Sequence, residues 1–196
     1  MNRIQKMITF IVFAAVTAFS NNALSAVVID FSTGGAGAGG TLTYDGTDVV
    51  GTDILIGQLI VDGAGAADGV YNADAKLNFD TAADTITIYG TVNGLGGSLG
   101  STARNLLSGS FSDFDFTDGS TQFFQGSGPD TKDRELLVEL GVDPTTPFDF
   151  AGFSIESING TVISTNIVNT AVPVPAAVWL FGSGLLGLVG IARRRA

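Results

Sequence analysis

The chain has 196 residues, 9 Lys+Arg against 19 Asp+Glu, a formal charge of −10, no Cys, no His and 27 Gly. The absence of Cys excludes a disulfide scaffold, a thiolate nucleophile, a Cys-ligated zinc and a lipobox-type lipid anchor. The absence of His removes the commonest general base and metal ligand, and the acidity argues against a nucleic-acid partner. Charge also divides the chain: residues 1–26 carry +2 and residues 176–196 carry +3, while all 19 acids lie between them, with only Lys76, Arg104, Lys132 and Arg134 for company.

Residues 1–26 have the layout of a secretory signal peptide. Arg3 and Lys6 precede the apolar run Met7–Phe19, then the polar Ser20–Asn22 and the small residues Ala23, Ser25 and Ala26. This is a charged region, a short apolar region and a cleavage region. Cleavage after Ser25 places Ala23 three residues before the cut; cleavage after Ala26 places the bulkier Leu24 there. An uncleaved anchor or a core helix would share the apolar run, but that run is short of the roughly 20 residues a bilayer span needs.

Residues 27–170 read as one mainly β ectodomain, an antiparallel β-sandwich or jelly roll with one short helix. Strands are expected at Val27–Ser32, Thr41–Tyr44, Ile54–Val61, Lys76–Asp80, Thr85–Val92, Leu106–Phe116, Thr121–Phe124, Phe148–Ser157 and Gly160–Asn169, rich in Val, Ile, Thr and Phe with period-two alternation. Ile54–Val61 is almost wholly apolar, as a central strand would be. Phe111 and Phe114 lie on opposite parities, as do Phe150 and Phe153, which predicts β-bulges near Ser112 and Gly152. Turns are marked by Asp45-Gly46, Asp62-Gly63, Asp68-Gly69, Asn93-Gly94, Asp118-Gly119 and Asn159-Gly160, the last a hairpin. Gly34–Gly40 reads as a flexible loop. It lacks the Lys-Ser/Thr of a phosphate loop. A helix is expected at Thr131–Leu140, capped by Asp130, with Leu136, Leu137 and Leu140 as its apolar stripe and Gly141 at its end.

The body offers little chemistry. Asp113, Asp115 and Asp118 are the densest acidic group and the candidate Ca²⁺ ligands, although Thr117 holds the third ligand place of an EF-type loop and the Asp-Gly pair comes one residue late. Solvated turn and edge aspartates account for the same residues. No carboxylate pair stands out for glycoside hydrolysis, and Glu135 and Glu139 have ordinary helix-surface spacing. No catalytic or cofactor-binding residue is singled out. The repeated Thr-x-Thr (Thr41/Thr43, Thr85/Thr87) follows from β-propensity without an ice- or sugar-facing array.

Residues 171–196 form the last part. Pro173, Val174 and Pro175 lie in a motif at 172–176. Residues before proline are extended and prolines cannot donate to a sheet, so the segment is an extended, unpaired strand of the shape a protease or transpeptidase binds. The 17 residues 176–192 carry no charge; as a helix they would reach about 25 Å, marginal for a bilayer but extended by the snorkelling Arg193, Arg194 and Arg195. Trp179 sits where an interfacial indole belongs, and the arginines should stay cytoplasmic, which puts the body outside. A plain single-pass anchor is the simpler alternative.

This Pro-x-Pro, Gly-rich apolar span and arginine stop resembles the PEP-CTERM sorting signal, in a form where Val174 stands in place of the central Glu. The resemblance covers about 25 residues. It implies recognition by an exosortase of the Gram-negative inner membrane, with Pro173 and Pro175 as the motif prolines, Trp179, Phe181 and Gly182 in the span and Arg193–Arg195 as the basic stop. It also implies a link to exopolysaccharide and biofilm. The expectation is therefore a non-enzymatic cell-surface or matrix protein without a cofactor, exported, held transiently in the inner membrane and then processed. The alternative is a carbohydrate-binding module, or a Ca²⁺-dependent adhesive or ice-binding one. A carbohydrate-binding face would have to use Tyr44, Tyr71 and Tyr89, the only tyrosines.

Overall fold

The computed structural model describes residues 26–34 and 39–172. Ten strands alternate along the chain: β1 Val28–Ser32, β2 Thr41–Tyr44, β3 Val49–Asp62, β4 Gly69–Asp80, β5 Thr85–Asn93, β6 Arg104–Gly109, β7 Asp113–Thr117, β8 Thr121–Lys132, β9 Phe148–Ile158 and β10 Thr161–Ala171. The helix α1, Arg134–Glu139, lies between β8 and β9. Every strand pairing is antiparallel.

The mainly β, antiparallel expectation holds, but the sheet does not split into two packed layers. It closes into a barrel. β3, β4, β5, β6, β8, β9 and β10 follow one another around the wall. The remaining place, between β10 and β3, is shared by two short strands. β1 pairs with Gln58–Asp62 of β3 and with Asn166–Thr170 of β10 at one end; β2 pairs with 49–52 of β3 and touches Thr161 of β10 at the other. The buried Asn169 side chain pins this seam by donating to the Ile29 and Ile167 carbonyls, at 2.8 and 2.9 Å. A second place is shared in the same way: β6 pairs with 130–132 of β8, and β7 with 123–127 of the same edge.

A barrel of about eight wall positions has an interior that side chains can just fill. Here phenylalanine does so. Phe79, Phe111, Phe124, Phe150 and Phe153 form one ring cluster, with Phe124 centred 4.7 Å from Phe79 and 5.2 Å from Phe153. Glycine supplies the matching recesses: the Phe79 ring occupies the space a side chain at Gly51 would need, and Phe111 lies against Gly126. The high glycine content is thus partly an interior feature as well as a turn feature.

The bulge expected near Gly152 is present. Phe150 faces Asn169 and Gly152 faces Val168, which leaves Ala151 as the extra residue and turns both Phe150 and Phe153 inward. Near Ser112 the outcome differs. The predicted strand Leu106–Phe116 is broken into β6 and β7, and Phe111 enters the ring cluster from the break, its N–H bonded to the Asp84 carboxylate at 2.7 Å. β3 is paired along both edges, as a central strand at Ile54–Val61 would be, but its apolar run has a further cause. A register shift between Ile56 and Gln58 moves the buried face from Ile54 and Ile56 to Leu59 and Val61. The apolar run reflects a change of phase, and Leu55 and Ile60 on the other face are only half-buried.

Asn159-Gly160 forms the expected hairpin, with φ of 49° and 80° and Ile158 paired to Thr161. Both residues sit in the left-handed region, as a two-residue type I′ turn requires. The helix starts later than predicted. Thr131 and Lys132 remain in β8, because Asp130 and Lys132 both point into the barrel; Asp133, not Asp130, is the cap, accepting from Leu136 N–H at 3.0 Å. Leu136, Leu137 and Leu140 are buried as expected, and Gly141 ends the helix at φ 69°. Of the predicted Gly34–Gly40 loop, residues 35–38 lie outside the described residues, as do 1–25 and 173–196 with the predicted signal and tail helices. No helix among the described residues is long and apolar enough to cross a membrane.

Candidate functional site

Strand directions place both ends of the described chain at one end of the barrel. Ala171 N–H donates to the Val27 carbonyl at 2.9 Å, and Val172 N–H donates to the Pro147 carbonyl at 2.9 Å. Ala26, one of the two candidate cleavage residues, is exposed at this point. Ser25, Pro173, Val174, Pro175, Arg193, Arg194 and Arg195 lie outside the described residues. Among the described residues, the last backbone bond therefore falls one residue before the first motif proline. The opposite end carries the tight turns, with Asp45, Asp48, Asp84 and Asp118 and no Lys or Arg in residues 45–48, 81–84, 118–120 or 159–160.

The candidate Ca²⁺ ligands are not drawn into one cluster. Asp113 and Asp115 share one exposed face of β7. Asp118 lies in the following turn, where its Oδ1 accepts from Gly119 N–H at 2.9 Å and Gln122 Nε2 at 3.1 Å. Among the described residues no three acidic side chains are grouped to hold a metal ion. The tyrosines are dispersed as well. Tyr44 packs on Phe116 at 4.6 Å. Tyr71 donates its hydroxyl to the Ala67 carbonyl at 2.8 Å. Tyr89 is exposed on β5, two strands away from Tyr44's neighbour β3.

Two polar clusters were not foreseen from sequence. The first lies on the rim where the chain ends meet. Arg104 at the start of β6 bonds Glu135 Oε2 at 2.6 Å and Asp133 at 3.4 Å and reaches Ser98 Oγ. Glu135 also accepts from Ser98 N–H at 2.5 Å. That N–H and the Arg104 cation hold the Glu135 carboxyl below its ordinary pKa. Burial opposes the Arg104 charge, but Glu135 and Asp133 outweigh it and its pKa lies above the usual value. Arg104, Asp133, Arg134, Glu135 and Val138 line a hollow of about 420 Å³ beside this cluster. Its chemistry is that of a clasp: Glu135, which spacing alone marks as plain helix surface, ties the 94–103 loop to α1.

The second cluster is inside the wall. Asp130 and Lys132 alternate onto the inner face of β8, and their side chains are in direct contact with no solvent exposure. Lys132 Nζ lies 4.9 Å from the centre of the Phe148 ring. Asp130 Oδ2 has no hydrogen-bond partner. Burial pushes the Lys132 ammonium down to about 8, against the pull of Asp130. Burial also raises the Asp130 carboxyl, with Lys132 opposing and Asp149 adding to the rise. The signal was present as an Asp-x-Lys alternation at the end of a strand, but it sat inside a segment whose leucines suggested a helix.

Comparison with protein-family models, with curated proteins and with solved structures finds no match to this chain.

Proposed function

We propose that the chain is an exported surface or matrix protein whose C-terminal tail is a sorting signal cut by an exosortase, and that it acts in the exopolysaccharide or biofilm layer of a Gram-negative cell. One observation carries this reading: a signal-like N-terminus is paired with Pro173-Val174-Pro175, a charge-free span at 176–192 and Arg193–Arg195. The chain is the substrate in this scheme, and its barrel is the cargo.

The fold supports the reading on two physical grounds. The strands that begin and end the barrel are neighbours, joined by the Ala171–Val27 bond, so export signal and tail depart from the same end. In addition, a cut within 173–175 leaves intact every backbone bond described for β10 and for Val172. Processing then breaks none of the barrel's backbone bonds among the described residues, as a disposable tail requires.

The test is mass spectrometry of the surface and extracellular fractions of the producing cell. The expected product ends near Pro173–Pro175 and lacks Trp179 and Arg193–Arg195. A mature extracellular form that still carries those residues refutes the proposal.

A further inference from the structure

We propose that Lys132 and Asp130 condense to form an amide cross-link between their side chains, an internal isopeptide bond inside the barrel wall. The two residues are two apart on one strand, so both point to the same face. That face is the barrel interior, where both side chains have zero exposure and touch one another. Covalent bonding follows from what such a site does to each partner. A dry interior charges several kcal/mol for each ion it holds, and an ion pair recovers that only when its remaining hydrogen bonds are satisfied. They are not satisfied here, since Asp130 Oδ2 has no donor.

The neutral forms, an amine and a carboxylic acid, remove that penalty. Their populations are raised by the same burial, which brings Lys132 down to about 8 and lifts Asp130. The like charge of Asp149, whose residue on β9 faces Pro129, adds to the lift on Asp130. The amine lone pair on Nζ attacks Cγ of Asp130, and the C–N bond forms as the bond from Cγ to Oδ2 breaks. The departing oxygen leaves as water, carrying the carboxyl proton and one proton from Nζ. No oxidation occurs and no co-reactant is required. Fixed contact supplies the high effective concentration that the reaction lacks in solution. The product amide is neutral and remains against the Phe148 ring.

The bond would brace the last residues of β8 where they meet β6 (Gly109 faces Asp130, Leu107 faces Lys132) and hand over to the Asp133 cap. In a chain with no Cys, it is a covalent brace that does not depend on redox conditions.

Intact mass and tryptic mapping of the purified, folded full-length protein test this. The expected chain is lighter by one water, with cleavage after Lys132 blocked and the loss located within the peptide 105–134. Asp130→Asn should reach the same final mass by losing ammonia, and Lys132→Arg should restore the full mass. A water loss that persists in Lys132→Arg and is opened by hydroxylamine would be a succinimide at Asp118-Gly119 and would overturn the proposal. So would a wild-type protein of full mass that trypsin cuts after Lys132. The wild-type measurement decides the matter even if a variant fails to fold.

Discussion

Replacing Phe124 by Ala removes the ring at the centre of the interior cluster, and replacing its neighbour Phe123 removes one that faces outward. Phe124 is fully buried and lies within 6 Å of Phe79, Phe111, Phe114 and Phe153, centre to centre. Phe123 is 47% exposed. A buried Phe→Ala change costs about 3–5 kcal/mol. The four ring contacts place Phe124→Ala at the upper part of that range. Half-burial at Phe123 leaves only about 1 kcal/mol to lose. At about 2–4 °C per kcal/mol for a domain of this size, the two melting temperatures should differ by roughly 6–16 °C. The assay is urea and thermal unfolding of the exported form of each variant, followed by circular dichroism. Because side chains alternate along a strand, a slip of β8 by one residue would exchange the two positions. Equal losses, or a larger loss for Phe123→Ala, would therefore refute both the register of β8 and the assignment of the interior.

Two further outcomes follow from local structure. Glu135→Gln should flatten the acid limb of the stability curve: a carboxyl whose folded pKa is depressed stabilises the fold above its unfolded value, near 4.3, and loses that contribution as pH falls through the folded value. Wild type and variant should thus converge in acid and diverge at neutral pH, and a constant difference across the range would contradict the clasp with Ser98 and Arg104. Gly160→Val should lower stability by about 1–2 kcal/mol or more, because a β-branched residue is forced to φ 80° in the β9–β10 turn; an unchanged urea midpoint would show that the turn is not type I′.

The sequence by itself determined what is local. Alternation identified the β1, β2, β5, β9 and β10 regions to within a residue or two, since which faces of a strand are apolar is written in successive side chains. Asn159-Gly160 specified a turn that few other pairs can adopt, and the parity conflict between Phe150 and Phe153 located a bulge before any partner strand was known. The Leu136, Leu137 and Leu140 stripe marked a helix for the same reason. The signal and sorting patterns at the two ends are also contiguous strings and need no fold to be read.

Only the tertiary structure decided which strand lies beside which. Period two states which way a side chain points but not which edge it meets, so the same strands served a sandwich expectation until the seam through β1, β2 and Asn169 closed the wall. Partner choice also broke Leu106–Phe116 into two strands, because β6 and β7 must share the single edge of β8. It carried β8 through Asp130 and Lys132 into a position the helix pattern had claimed. The Arg104, Ser98 and Glu135 clasp joins residues up to 37 apart in sequence, and the contact between Asp130 and Lys132 became chemically significant only once the wall excluded water from it. Burial is a property of the whole enclosure, and no window along the chain contains it.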